Sequence, residues 1–370
     1  MKVLQVSTHV NMGGIGNYIL SLSKALKGKS VSSIVASSGG DLEAEFKRHG
    51  IELMWLDIKT KSEISPKVLK SIIQLCRIIN NEDVDVLHAH TRVSQVVCFF
   101  ASRITGVPYV TTCHGFFKKR LRKIFDTWGS MAIAISDAVK THLKEDLGVN
   151  EKRIKLVYSG VDVDAFSKEC SINEINKMKE SLGLKGGPIV GTIGRLSPVK
   201  GQRFLLEAMV SVISEVEDAK VIIVGDGPEE KALKNLAKSL GIECAVHFFA
   251  SSPGTYKFLS VMDIFAFPSK NEGLGIALLE AMASGKACIA SSIGGISDII
   301  KDGSNGILTE VGDIDAISNA IIYLLRDPEL RMKMGENART LVKERFSLNS
   351  MADNIIQLYK KITGEDHASQ

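Results

Sequence analysis

At 370 residues the chain is longer than one hydrophobic core usually supports, so two domains are expected. Hydrophobic residues make up 45% and charged residues 24%, the balance of a soluble globular enzyme rather than of a fibrous or disordered chain. The net charge of +4 is small and the one basic cluster stands alone, which excludes an extended nucleic-acid footprint.

The cysteines at 76, 98, 113, 170, 244 and 288 are scattered without a C-x-x-C pair. That argues against a zinc site or a disulfide framework and suits a reducing compartment. The first apolar run, 3–6, is too short for a signal peptide, and the apolar stretch at 93–101 is too brief for a membrane span. The expected location is the cytoplasm, with the inner face of the membrane as a peripheral alternative.

Short apolar runs alternate with segments of helical period, the pattern of parallel strands joined by helices. In the first half, strands are predicted at 3–6, 33–36, 51–56, 84–88, 109–112, 131–135 and 154–157, with helices at 17–26, 66–79 and 137–147. Residues 163–187 are polar apart from a short helical stretch near 173–182, and they end in a Gly-Gly-Pro run that marks a linker. The alternation then restarts. Strands are predicted at 189–193, 220–224, 245–249, 263–267, 287–290 and 306–308, with helices at 201–214, 229–240, 276–283, 316–325, 328–343 and 348–362. The fold class is α/β, with two doubly wound halves that show no obvious sequence repeat.

In doubly wound sheets, ligands sit beyond the carboxyl ends of the strands, which singles out the loops that follow them. The first carries Gly13, Gly14 and Gly16 into a helix start, where free amides can meet an anion. A plain tight turn is the alternative reading of those glycines. A nicotinamide fingerprint does not fit, because Ile19 stands at the third glycine position and the second strand ends in Ala36-Ser37-Ser38 without an acidic residue. The second loop, from Gly194 to Gly201, offers Arg195 as a planar fork and Lys200 as a movable charge to phosphate oxygens.

The third loop follows an apolar strand and runs Glu272-Gly273-Leu274-Gly275 into a helix carrying Glu280. Amides of Gly273, Leu274 and Gly275 suit phosphate, whereas carboxylates are good acceptors for sugar hydroxyls. The spacing Glu-x7-Glu alone means nothing, since Glu207/Glu215 and Glu336/Glu344 share it inside surface helices. Two Asp-x-Asp pairs, Asp83/Asp85 and Asp162/Asp164, lie away from the strand carboxyl ends and read as structural rather than metal-binding. His88 and His90 alternate at a strand end without a third ligand and also read as structural.

The run from Glu272 to Gly285 resembles the signature of the family-four retaining glycosyltransferases of the GT-B fold. So do Gly194-Arg195-Leu196, Lys200-Gly201, the run Val224 to Pro228, Gly294-Gly295 and the run Asp302 to Gly306. The resemblance implies two Rossmann-like domains facing across a cleft. An acceptor-side domain would span 1–168 with a crossover helix at about 348–366, and a nucleotide-sugar-binding domain would span 169–347.

It further implies that Arg195 and Lys200 neutralise the donor diphosphate, with Gly194 in the same turn. Glu272 would hold the donor sugar, Glu280 the ribose, His114 would lie at the reaction centre, and Gly13 and Gly14 would lie over the diphosphate. No metal or other cofactor is implied, and transfer would retain anomeric configuration. Departures occur at Ser159, Ala250 and Lys286-Ala287, all outside the proposed phosphate and sugar residues.

The acceptor is less legible. Residues 116–125 follow His114 and mix five cations with Phe116, Phe117, Leu121, Ile124 and Phe125. Such a helix suits an anionic membrane and hence a lipid-linked or glycan acceptor, or it is a surface helix with a solvated basic face. A sugar-nucleotide epimerase and a non-catalytic nucleotide-sugar-binding subunit are the rival readings.

Overall fold

A computed structural model describes residues 1–117, 126–168, 171–184, 186–251 and 254–365. The chain divides into two compact units, Met1–Gly160 together with Leu348–Gln370, and Val161–Ser347.

The first unit runs β1 (Lys2–Val6), α1 (Gly14–Lys27), β2 (Ser32–Ser37), α2 (Glu43–Arg48), β3 (Glu52–Trp55), α3 (Pro66–Asn81), β4 (Val86–Ala89), α4 (Arg92–Thr105), β5 (Tyr109–Cys113), β6 (Met131–Ala134), α5 (Asp137–Thr141) and β7 (Ile154–Leu156). Its sheet is parallel in the order β3-β2-β1-β4-β5-β6-β7. β4 and β5 are buried along their whole length because helices cover both faces of such a sheet, so the polar residues they carry, His88, Thr111 and Thr112, are buried as well. Leu4, Val6, Leu87 and Ala89 pack there against Leu75 of α3 and Val97 of α4.

The second unit runs α6 (Val163–Phe166), α7 (Ile172–Ser181), β8 (Ile189–Ile193), α8 (Gln202–Glu215), β9 (Lys220–Val224), α9 (Glu230–Ser239), β10 (Val246–Phe249), α10 (Tyr256–Val261), β11 (Ile264–Phe267), α11 (Ile276–Ala283), β12 (Ala287–Ser291), β13 (Ile307–Thr309), α12 (Ile314–Arg326) and α13 (Pro328–Arg345). Its parallel sheet has the order β10-β9-β8-β11-β12-β13, and α14 (Leu348–Thr363) then returns to the first unit. Val161 already belongs to the second unit, where its amide bonds the Phe346 carbonyl at 2.9 Å.

Both sheets reverse their winding at one point, between β1 and β4 and between β8 and β11. Loops at such a switch diverge to opposite faces and leave a crevice at the strand ends. Helix starts differ by location. α3, α4, α12 and α13 are closed by side chains of Ser65, Thr91, Asp313 and Asp327. The helices entered from β1, β8 and β11 begin instead at Gly13, Gly201 and Gly275, with no side-chain cap.

The Asp-x-Asp pairs are used structurally. Asp85 accepts the Lys2 amide at 2.6 Å, and Asp162 caps α6. No described helix is long and apolar enough to cross a membrane.

Candidate functional site

In the second unit the first turn is fixed backbone against backbone. The Gly194 amide bonds Val224, and the Leu196 amide bonds Asp226. A Cβ at Gly225 would strike the Gly194 carbonyl, and one at Gly227 the Leu196 carbonyl, so only glycine permits this approach. The Arg195 carbonyl accepts the Gln202 amide group at 3.0 Å, which anchors the backbone. The guanidinium is left exposed, with no side-chain partner among the described residues.

Gly201 is left-handed, with φ 67°, and its missing Cβ makes room for the Pro268 carbonyl. That close approach joins the turn after β8 to the one after β11, where the Lys270 amide bonds the Val199 carbonyl at 2.7 Å. Lys200 and Glu272 meet there as an ion pair, with side chains 26% and 15% exposed. The ammonium also lies 5.2 Å from the Phe267 ring centre. Partial burial makes such a pair more than a surface contact, yet both groups keep access to solvent. The Glu272 carbonyl in turn accepts the Gly295 amide.

α11 begins at Gly275 in a left-handed conformation, and its first-turn amides receive no side-chain cap. Gly273, Leu274 and Gly275 are buried at this start, beside the Ser269 hydroxyl, which is buried without a partner. Glu280, one turn along, is half-buried and accepts the Thr255 hydroxyl at 3.2 Å. Burial outweighs that hydrogen bond and raises the carboxyl pKa to about 7.

In the first unit the loop after β1 is held by the Val10 amide on Gly39 and the Met12 amide on Asp41. Gly13 and Gly14 are exposed at the start of α1, with open space where their side chains would be. Four residues along the helix, the buried Tyr18 ring stands edge-on to His114, 4.7 Å between centres. His114 follows β5 and is half-buried, with Nε2 3.2 Å from Nδ1 of His90. Burial lowers its pKa to about 3, so the ring is neutral.

Of the candidate residues, Gly194, Arg195, Lys200, Glu272, Gly273, Leu274 and Gly275 come together on the joined turns of the second unit. Glu280 stands apart, next to Thr255. Tyr18 links the Gly13–Gly14 helix start to His114 in the first unit. Sequence reasoning missed Tyr18, Thr255 and the His90–His114 contact; the alternation at residues 88–90 was the available signal. In the basic stretch, the Phe117 amide bonds His142 Nε2, and residues 118–125 lie outside the described residues.

Residues 174–341 match the family model "Glycosyl transferases group 1", and residues 12–165 match "Glycosyltransferase Family 4". The UDP-Gal:alpha-D-GlcNAc-diphosphoundecaprenol alpha-1,3-galactosyltransferase of Escherichia coli is 30% identical over 310 residues, 79% of each chain. The chain belongs to the group 1 glycosyltransferases. This glycosyltransferase is also 29% identical to the N-acetyl-alpha-D-glucosaminyl L-malate synthase of Bacillus anthracis, over 79% of each chain. Its fold is that of a crystal structure of a Rickettsia africae glycosyltransferase, with TM-score 0.86, 25% identity and 98% of each chain covered. HepE of Anabaena, solved with UDP-glucose, superposes with TM-score 0.87 at 24% identity, covering 98% of this glycosyltransferase and 100% of that chain. The fold is therefore GT-B, built on two Rossmann-like domains.

Proposed function

We propose that this glycosyltransferase transfers a sugar from a nucleoside-diphosphate sugar to a glycan or lipid-linked acceptor, with retention and without a metal. The observation that carries the reading is the Lys200–Glu272 pair, set beside the exposed Arg195 and the uncapped start of α11. An arriving diphosphate can take the ammonium from the carboxylate. Glu272 then accepts hydroxyls of the donor sugar, so neither charge loses its partner. Arg195, Lys200 and the amides of 273–275 supply fixed positive potential where the leaving diphosphate gains charge. Glu280 accepts the ribose hydroxyls, Gly13 and Gly14 admit the diphosphate to backbone amides, and His114 orients the donor sugar.

HepE was solved with UDP-glucose, and the Escherichia coli relative is named for a UDP-sugar donor, which supports a uridine nucleotide. The same relative is named for a diphosphoundecaprenol-linked acceptor, which supports a lipid-linked acceptor used at the inner face of a membrane.

A thermal-shift screen of uridine, guanosine and adenosine diphosphate sugars tests the donor, because a specific ligand raises apparent stability with its affinity. A uridine diphosphate sugar is expected to stabilise wild type and to lose that effect in Lys200→Ala. Proton NMR of the transfer product reads the anomeric outcome, and full turnover after chelation is expected. Stabilisation that survives unchanged in Lys200→Ala would remove the site assignment.

A further inference from the structure

We propose that His90 is a positioning residue that sets the tautomer of His114, so that His114 meets the donor sugar through Nδ1 as a hydrogen-bond donor. The proposal rests on the role given to His114 above, and adds which atom acts and what holds it.

β4 and β5 run side by side in parallel, with Ala89 opposite Thr111, so the residues leaving the two strands emerge together. His90 leaves β4 fully buried, its Nδ1 3.2 Å from His114 Nε2. Its own Nε2 is buried without a hydrogen-bond partner among the described residues. Below it lies His88, ring centres 4.1 Å apart. Both His88 nitrogens are occupied, Nδ1 by the Tyr359 hydroxyl at 2.6 Å and Nε2 by the Thr112 hydroxyl at 2.7 Å. Tyr18 closes the stack, edge-on to His114 and tilted against His90.

Burial keeps all three imidazoles neutral. One proton therefore serves the His90–His114 hydrogen bond. If His114 donated it, His90 would carry its own proton on Nε2, as a buried N–H without an acceptor. Buried donors of that kind are rarer in proteins than unpaired lone pairs. The favoured arrangement has His90 Nδ1–H donating to His114 Nε2, which leaves a bare lone pair at His90 Nε2. His114, with its Nε2 lone pair engaged, then carries its proton on Nδ1. No described residue bonds that nitrogen. An Nδ1–H can donate to a sugar oxygen but cannot take up a proton, so His114 orients the sugar and does not act as a general base.

The test uses the full-length chain labelled with ¹⁵N-histidine and no ligand. Long-range proton–nitrogen correlation spectra report the tautomer of each ring, and His114→Ala assigns the signals. The Nδ1–H form of His114 is expected, and the Nε2–H form overturns the proposal. His90→Phe keeps ring volume without a donor, and His90→Asn keeps an N–H near the Nδ1 position. His90→Phe is expected to mix the His114 tautomers and lower kcat by about 10–100-fold with a smaller change in donor KM, while His90→Asn stays near wild type. Equal losses in both variants, at unchanged thermal stability, overturn the proposal. If His90→Phe does not fold, the wild-type spectrum and the turnover of His90→Asn still decide. An Nδ1–H tautomer combined with full activity in His114→Ala would instead remove the sugar-orienting role on which the proposal rests.

Discussion

The two units carry the same kind of sheet and put opposite chemistry at its carboxyl end. In the second unit the switch-point loops hold an ion pair, an exposed guanidinium and a helix start without a cap. In the first unit they lead to a stack of neutral rings, buried except for the half-buried His114, with His88 bonded to Tyr359 and Thr112 and His90 to His114. A ligand can exchange with a charged partner at the first kind of surface, because each charge stays compensated throughout. The second kind can only offer geometry, because its rings do not titrate near neutral pH. On the proposed reading, ionic grip and orientation fall to different halves of the chain.

The largest effect that would break this contrast is in the ion pair. Glu272→Ala and Lys200→Ala are each expected to lower kcat by about 10²–10³-fold or more while the fold is kept, as read by steady-state transfer assays and circular dichroism. Near-normal turnover in either variant would mean the second unit's charges are ornamental.

Glycines sharpen the comparison next. Gly201→Ala forces a side chain into the Pro268 carbonyl at a left-handed position and should cost about 2 kcal/mol in denaturant unfolding, along with most of the activity. Gly13→Ala meets open space but strains a φ of 140° that side chains rarely adopt, so it should cost less than Gly201→Ala, where strain and clash add, while weakening donor binding measured by calorimetry.

The pH dependence should run in opposite directions in the two units. His88 and His114 have pKa values lowered to about 3, from an ordinary value of 6.5. The unfolded first unit binds more protons between those values, so its stability rises with pH across that window and is lost on acidification. Glu280 has a pKa raised from 4.5 to about 7. Here the folded state binds the extra proton, so this group's contribution is present below pH 4.5 and fades as pH rises through about 7. Hydrogen exchange followed by mass spectrometry should show the first unit opening earlier in acid. Glu280→Gln should gain stability relative to wild type above pH 7, on the order of 2 kcal/mol. Donor KM of the wild type is expected to rise as pH falls below about 7, and Glu280→Gln is expected to abolish that rise.

The smallest expected change is Thr255→Val. Loss of its hydrogen bond to Glu280 should shift that KM inflection to slightly higher pH, and an unchanged profile would show that the contact is not maintained in solution.

All thirteen strands of the described residues were legible as short runs, the central ones because helices on both faces of a parallel sheet bury them along their length. The short helices α2, α6 and α10 were not. At four to six residues they are too brief for a period to show, and α2 and α10 lack a capping side chain. α4 was seen only as an apolar stretch, although Thr91 and Ser94 form its capping box. At the site, position after a strand picked out Arg195, Lys200 and Glu272, while His114 rested on the family resemblance. The pairing of Lys200 with Glu272 was hidden, because it depends on Gly201 letting two distant turns touch. His90 was read as inert for a related reason. Its partner lies 24 residues away on the neighbouring strand, and only sheet order brings them together.

The return of α14 has a consequence for biosynthesis. Tyr359, Ile355 and Met351 are buried in the first unit, Lys29 pairs with Asp353 at 2.8 Å, and the Gly160 amide meets the Met351 sulfur. The half of the polypeptide that leaves the ribosome first must therefore wait, with its helix-binding surface uncovered, until α14 has been made. The half made later is continuous in the chain and can mature while it is still being synthesised. A chain truncated after Ser347 and released from the ribosome should resist protease across 161–347 and remain cleavable in the residues before it.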